Sequence, residues 1–411
     1  MKIVHINYSD LQGGASIACY RLHSSLLNQK IDSNLVVAKK ISQNDKVFTF
    51  KNKSTQIYYN IKKNISKIFA KLIEIITKNN YSFSFFRSKL SEEIKHLNPS
   101  IINLHWICNE TISFKELREL KRPVIWTLCD MWPFLGAEHN DFSLHESNYW
   151  NDMEILNSRR FNINNVALKK KVKELNFQIE IVAISSWLAE KAKKSILFKG
   201  KKIQVIPCCL NFDEWTPENK KNVRNKLGLD LKKKIILFVS SGNTIDKKKG
   251  FKILLNALNN IENTSNYHLI ILGKLHKNHK ENMRVNYTEY NNFFFGESNS
   301  LKEIYSAVDI IVVPSLVEAF GQVSLEAAAC NVPTLAFKNT GLTEIIIHKK
   351  NGYLANYNDV KDLEIGLKWC LNDNNYNYIS SNARILAKKK FSYEVVSQKY
   401  LDLYENLQSN K

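Results

Sequence analysis

The chain has 411 residues, 44% of them apolar, and a formal charge of +20 at pH 7. One core seldom organises so long a chain, so two domains of roughly 200 residues are expected; the charge calls for an anionic ligand or surface, unless it reflects only heavy use of lysine and asparagine. No uninterrupted apolar stretch reaches the roughly 18 residues of a membrane-spanning helix, and the seven cysteines include no CxxC pair, which argues against a disulfide framework or a zinc site.

The opening MKIVHINYSD turns polar too early for a signal peptide. A cytoplasmic protein, or one peripheral on the inner face of the cytoplasmic membrane, is expected. No nucleic-acid-binding motif accompanies the lysines, so nucleic acid is not expected as a partner.

In chain order, short apolar runs alternate with helical stretches: KIVHIN (2–7), SNLVVA (33–38), IINLHW (101–106), PVIWTL (123–128), IEIVAIS (179–185) and KIQVIP (202–207). Such runs are the pattern of parallel strands covered on both faces. Residues 1–207 are therefore expected to form a doubly wound, Rossmann-like α/β domain. After Pro207 the segment CCLNFDEWTPENKK is polar and turn-rich, and the alternation restarts with KIILFVSS (234–241), HLIILG (268–273), NNFFF (291–295), DIIVVP (309–314) and PTLAF (333–337). A second domain of the same kind is expected over 208–390, with 391–411 a C-terminal helix packing back on the first. Open parallel sheets bind ligands beyond the carboxyl ends of their strands, so a cleft between two facing domains is the expected site.

One helical segment stands apart. In IYYNIKKNISKIFAKLIEIITK (57–78), Ile57, Ile61, Ile65, Ile68, Leu72 and Ile76 share a face at helical spacing, with Lys62, Lys63, Lys67 and Lys71 elsewhere. The pattern suits a helix lying on an anionic membrane surface. It equally suits a helix packed on its own domain with a solvated basic side.

The polar motifs fall at strand ends. YSDLQGGASIACYRLH (8–23) follows the first strand, and Gly13 and Gly14 allow close backbone approach where a helix begins with free amides that favour an anion. In VSSGNTIDKKKGFKILLNAL (239–258), Lys247, Lys248 and Lys249 precede Gly250 and a helix, which lets at least one ammonium reach a phosphate. PSLVEAFGQVSLEAAACNVPTLAF (314–337) places Glu318 in a loop and Glu326 in the helix that begins near Phe320. Amides at Ala319, Phe320 and Gly321 could receive a diphosphate at that helix start, and Glu326, about two turns on, would share a side with Glu318. A carboxylate on each side of a phosphate site suits a nucleotide sugar, with hydroxyls at both ends. The alternative is that both carboxylates serve as helix-end caps and ion pairs.

The segment PSLVEAFGQVSLEAAACNVPTLAFKNTGLTEIIIHKKNGYLA (314–355) resembles the most specific motif of the retaining glycosyltransferases of family four, which have the GT-B fold. In the first half GGASIACYRLH, INLHWICNETIS, TLCDMWPFLGAEH and SSWLAEKAKKS are similar to a bacterial branch that builds exopolysaccharide and O-antigen chains. The resemblance implies that Glu318 contacts sugar hydroxyls near the reacting carbon and Glu326 the ribose. It implies that Gly13, Gly14, Lys249 and the neighbouring Lys248 hold the diphosphate, and that Gly296 in FFFGESNS lies near the base. The donor would be UDP- or GDP-linked, the acceptor a saccharide carried on a lipid, and no cofactor or metal would be required. Transfer would retain configuration, with the leaving phosphate helping to deprotonate the acceptor and domain closure excluding water.

Three positions depart from the family pattern. Asn243 follows Gly242 where the family carries Arg, leaving Lys249 as the main phosphate-binding charge. Thr127, Leu128, Cys129 and Asp130 stand where Thr-His-Asp is usual, so Asp130 keeps its place while His105 and His139 become candidates for the missing imidazole. Asn331 replaces the Gly before Pro333, a change that a left-handed turn tolerates. A nucleotide-sugar epimerase and a non-catalytic sugar-nucleotide-binding protein remain open alternatives, the latter favoured by Cys129 and Asn243.

Overall fold

A computed structural model of the protein describes residues 1–77, 81–140, 163–291 and 298–409. They divide into two compact units, one of Met1–Pro207 with Ser397–Lys411 and the other of Cys208–Val396. Unit 1 carries a parallel sheet of β1 (Lys2–Ser9), β2 (Asp32–Lys39), β3 (Val47–Phe48), β4 (Ile101–Leu104), β5 (Val124–Leu128), β6 (Ile179–Ala183) and β7 (Ile203–Val205), in the order β3-β2-β1-β4-β5-β6-β7. The central strands are apolar throughout because helices cover both faces, and Ile3, Val4, Ile6, Ile101, Ile102 and Leu104 are all fully buried. Ile3 lies opposite Ser33 on one side and Ile101 on the other. The order thus reverses at β1, and the loops after β1 and β4 diverge to leave a crevice at their carboxyl ends.

Unit 2 repeats the arrangement with β8 (Lys234–Asn243), β9 (Tyr267–Lys274), β10 (Asn286–Tyr290), β11 (Ile310–Val313), β12 (Thr334–Phe337) and β13 (Gly352–Ala355), in the order β10-β9-β8-β11-β12-β13. Its core packs Ile236, Phe238, Phe251, Leu254, Ile271 and Val312 together with the helix Val360–Leu371. The reversal here falls between β8 and β11. The strand expected at 291–295 lies largely outside the described residues, which omit 292–297, and β10 occupies Asn286–Tyr290 instead. Among the described residues β10 pairs only with β9. Its sequence NYTEY is half-exposed and polar, so it gives no apolar run to read.

The basic amphipathic segment forms the helix Lys53–Thr77. Its packed side is Tyr59, Ser66 and Ala70, with Tyr59 Oη donating to the Asn109 carbonyl at 2.9 Å and Ser66 Oγ to Glu110 Oε1 at 2.7 Å. The apolar face singled out by periodicity is turned outward: Ile57 is 59% exposed, Ile61 54%, Ile68 60% and Leu72 56%, with Phe69 at 60% beside them. The expectation that this face packs on the domain is therefore corrected. Ile76 lies among side chains outside the described set.

The last helix, Tyr393–Ser409, contributes its C-terminal part to unit 1. Asn103 of β4 donates through Nδ2 to Tyr404 Oη at 2.9 Å and accepts from Thr127 Oγ1 at 3.0 Å, while Thr127 Oγ1 also lies 3.2 Å from Tyr400 Oη. All four side chains are buried. Removing the Tyr404 hydroxyl leaves a buried amide donor short of its acceptor, at a cost of about 1–3 kcal/mol. Tyr404→Phe should accordingly lower the denaturant midpoint of unit 1 while leaving the unit 2 transition in place, followed by urea titration with a fluorescence probe in each unit. An unchanged midpoint would show that the buried network carries no net stability.

Candidate active site

At the carboxyl edge of the second sheet, two loops converge where the strand order reverses. The loop after β8 turns through a short 3₁₀ segment, Lys247–Lys249, capped by Asp246, whose carboxylate accepts the Lys248 amide at 3.0 Å. Gly250 then starts the helix Phe251–Asn260 with φ 68°. A Cβ on Gly250 would lie 1.9 Å from the Pro314 carbonyl oxygen, so only glycine lets the loop after β11 come this close. The two loops are stitched by the Leu316 amide donating to the Lys248 carbonyl at 2.8 Å.

That contact brings Lys249 to Glu318, with Nζ 3.1 Å from Oε2 and side chains 32% and 19% exposed. The Glu318 carboxylate raises the Lys249 pKa, against the opposing effect of burial, so the ammonium is charged across neutral pH. On its far side the same loop is braced by Gly341, whose amide donates to the Glu318 carbonyl at 2.7 Å. A side chain at Gly341 would meet the Ala319 carbonyl oxygen at 2.0 Å.

The loop ends at Gly321, the N-cap of the helix Gln322–Ala329, with φ 104° and no acidic residue in the first turn. Ala319 is half-buried, and Phe320 is buried edge-on against Phe391 with ring centroids 5.7 Å apart. A cation, a helix start and a carboxylate are thereby grouped at one edge. Ammonium and amide donors suit a phosphate, and the carboxylate suits hydroxyls.

The other sequence-predicted residues fare differently. Glu326 is 4% exposed, and its carboxylate accepts the Tyr305 hydroxyl at 3.0 Å. Asn243 turns its Oδ1 to the Ile245 amide at 3.1 Å, shaping its own turn. Lys248 is half-buried, and its carbonyl accepts the Leu316 amide. Gly296 lies outside the described residues. Asn331 adopts φ 60°, the left-handed turn expected of it.

In unit 1, Gly13 caps the helix Gly14–Asn28 with φ 92°, and a Cβ on either Gly13 or Gly14 would have nothing within 4 Å. Asp130, just past β5, accepts from Trp132 N at 3.0 Å, from Trp106 Nε1 at 2.8 Å, and pairs with His139 Nδ1 at 2.8 Å. His139 Nε2 reaches Ser82 Oγ at 2.8 Å, and its ring stacks on Trp106. Cys129 Sγ points to the Thr127 carbonyl at 3.6 Å.

His105 is corrected as a catalytic candidate. Its amide extends the β4 ladder to Ile6 O at 2.9 Å, and its side chain is 3% exposed, with Nε2 3.0 Å from His5 Nδ1. Burial pushes its pKa down to about 3. Adjacent residues in an extended segment point to opposite sides, so Trp106, which the sequence reading passed over, is the residue of that pair that joins Asp130.

Residues 219–386 match the family model of glycosyl transferases group 1. The match spans most of unit 2. The chain is 28% identical over 237 residues to an uncharacterized glycosyltransferase of Methanocaldococcus jannaschii, an alignment covering 55% of this chain and 60% of that one. It is 22% identical over 408 residues to an uncharacterized 41.2 kDa protein in the cps region of Klebsiella pneumoniae, covering 99% of this chain and all of that one. Its fold is similar to that of Anabaena HepE, solved with UDP-glucose, with a TM-score of 0.62 at 15% identity over 99% of this chain and 100% of that one. This likeness shows a GT-B fold.

The Lys249–Glu318 pair carries a pH signature. Glu318→Gln removes the charge that raises the lysine and leaves the burial that lowers it, so Lys249 should titrate at lower pH than in the wild type, read by NMR of the dimethylated amine. The pair's stabilisation through Lys249 is fully present below its ordinary pKa of 10.5 and is lost as pH rises through the raised value. An unmoved Lys249 titration in Glu318→Gln would show that the two charges are not coupled.

Proposed function

We propose that the protein is a retaining glycosyltransferase of family four that moves a sugar from a UDP- or GDP-linked donor to a saccharide acceptor in bacterial surface polysaccharide synthesis. The observation that carries this reading is the Lys249–Glu318 pair at the β8/β11 switch point, beside the glycine-capped start of Gln322–Ala329. The group 1 match over this segment and the cps-region relative support it. HepE, a fold neighbour, is described with UDP-glucose.

In this reaction the bond from the anomeric carbon to the diphosphate oxygen breaks and a bond from that carbon to an acceptor oxygen forms on the same face. The acceptor's proton passes to an oxygen of the leaving diphosphate. Negative charge therefore grows on the phosphate, where Lys249 and the amides of Ala319, Phe320 and Gly321 stabilise it. Gly13 and Gly14 leave room for the diphosphate, and Glu318 accepts from sugar hydroxyls. We assign a catalytic role to Asp130 of unit 1, whose carboxylate is paired with His139. No cofactor enters this scheme.

The deciding experiment is a panel of nucleotide sugars, with release of nucleoside diphosphate followed with and without a lipid-linked acceptor. Acceptor-dependent release is expected. Turnover of the donor to its epimer without acceptor would replace the proposal by an epimerase, and binding without turnover by a non-catalytic protein. Lys249→Ala should lower kcat/KM by roughly 10- to 150-fold, the equivalent of about 1.5–3 kcal/mol for a charged hydrogen bond. Asn243→Arg should tighten nucleoside diphosphate binding in calorimetry.

We further propose that the outward face of Lys53–Thr77 rests on an anionic membrane, where a lipid-linked acceptor is met. Among the described residues no helix is long and apolar enough to cross a membrane. The exposed Ile61, Ile68, Phe69 and Leu72 lie on the same helix as exposed Lys67 and Lys71, the combination that an acidic lipid surface attracts. At about 1 kcal/mol per lysine, Lys67→Gln with Lys71→Gln should weaken binding to acidic vesicles roughly 30-fold at low salt. Sedimentation unchanged by these substitutions and by Leu72→Ser would refute the membrane face.

A further inference from the structure

Three side chains that the proposed reaction does not use meet in the interior of unit 1. His5 on β1, Cys19 on Gly14–Asn28 and His105 just past β4 are 0%, 0% and 3% exposed. One ligating atom from each lies within 4.8 Å of those of the other two. His5 Nδ1 stands 3.0 Å from His105 Nε2. That spacing serves a hydrogen bond, and it is also close to the roughly 3.3 Å that separates two nitrogens bound tetrahedrally to one zinc ion.

Two further observations point to a ligand. His5 Nε2, a nitrogen of one of the three clustered side chains, is buried with no hydrogen-bond partner. Polar atoms so deep are ordinarily satisfied, and each exception calls for an explanation such as an ion. Burial also keeps the imidazoles of His5, His23 and His105 neutral at pH 7, with lone pairs that need not shed a proton to bind a metal.

We propose that His5, Cys19 and His105 bind one borderline-soft ion, for which Zn²⁺ is the probe, as a structural site joining β1, the first helix and β4 behind the Gly13–Gly14 loop. Two imidazoles and a thiolate form a donor set that selects zinc or a similar ion over magnesium or calcium. On binding, the Cys19 thiol loses its proton as the sulfur–metal bond forms, releasing one proton per ion. The ligands stand at positions 5, 19 and 105, a spacing that no CxxC-type pattern reveals. The site is independent of the transferase reading.

The test uses full-length protein without a histidine tag, kept reduced and stripped by chelator. Metal content is measured by mass spectrometry, and Co²⁺ serves as a spectroscopic substitute. About one equivalent should bind, with a near-ultraviolet thiolate-to-cobalt charge-transfer band, release of one proton and a rise in Tm under saturating Zn²⁺. Cys19→Ser should abolish the band, and His105→Gln should weaken binding by at least about tenfold, since loss of even an outer partner costs that much. His268→Gln and Cys370→Ser, both in unit 2, should change nothing. If Cys19→Ser does not fold, the wild type decides. Folded wild-type protein that takes up no zinc and shows no cobalt band, whether loaded after folding or refolded with the ion, overturns the proposal, as does a band that survives in folded Cys19→Ser.

Discussion

Two backbone approaches too close for any side chain govern the second unit's site. Where Gly250 passes the Pro314 carbonyl and Gly341 passes that of Ala319, a single methyl group would overlap the neighbouring oxygen. The loop after β11 is clamped between them, its amide at Leu316 and its carbonyl at Glu318 both spent on the flanking chains. Lys249 precedes one of these bare positions, so the clamp determines where its ammonium ends. The charged pair is thus a product of main-chain geometry rather than of two long side chains finding each other. Little rotamer freedom is left to lose when a ligand arrives.

Both units use one device at their sheet edges. A strand ends, a glycine with positive φ follows, and a helix begins without an acidic residue in its first turn, at Gly13 in unit 1 and at Gly321 in unit 2. Such a start keeps the positive end of the peptide dipoles unneutralised by the helix's own residues. Elsewhere in unit 1, Asp130 is held by two indole-bearing residues and His139, which fixes its position in a way that a solvent-facing aspartate would not share.

Much of this was legible in the sequence, and the failures have physical causes. Buried parallel strands announce themselves as apolar runs, so the central strands of both sheets read correctly within a few residues. β10, with one neighbour and half-exposed side chains, carries no such signature. Glu318 and Lys249 were both legible as polar residues at strand ends, but their pairing across 69 positions depends on Gly250 and Gly341, whose need for bare backbone is a tertiary fact. The bond that Glu326 accepts from Tyr305 is likewise tertiary and has no signal in the helical spacing. His105 and Trp106 exchanged roles because residue type draws attention to the histidine while strand alternation sends the tryptophan to Asp130. In Lys53–Thr77 the larger apolar stripe suggested the packed side, yet the smaller Ser66 and Ala70 allow the helix to seat.

The return of Ser397–Lys411 to the first unit sets a timetable for making the protein. During synthesis the ribosome must produce all of unit 2 before Tyr400 and Tyr404 exist, so Asn103 and Thr127 wait as buried-to-be polar groups without their final partners. Unit 1, begun before unit 2, is therefore completed after it, while unit 2 can close on contacts that are already made. Nascent chains arrested before the final helix would expose an incomplete N-terminal unit to chaperones, reversing the usual order in which domains mature along a polypeptide.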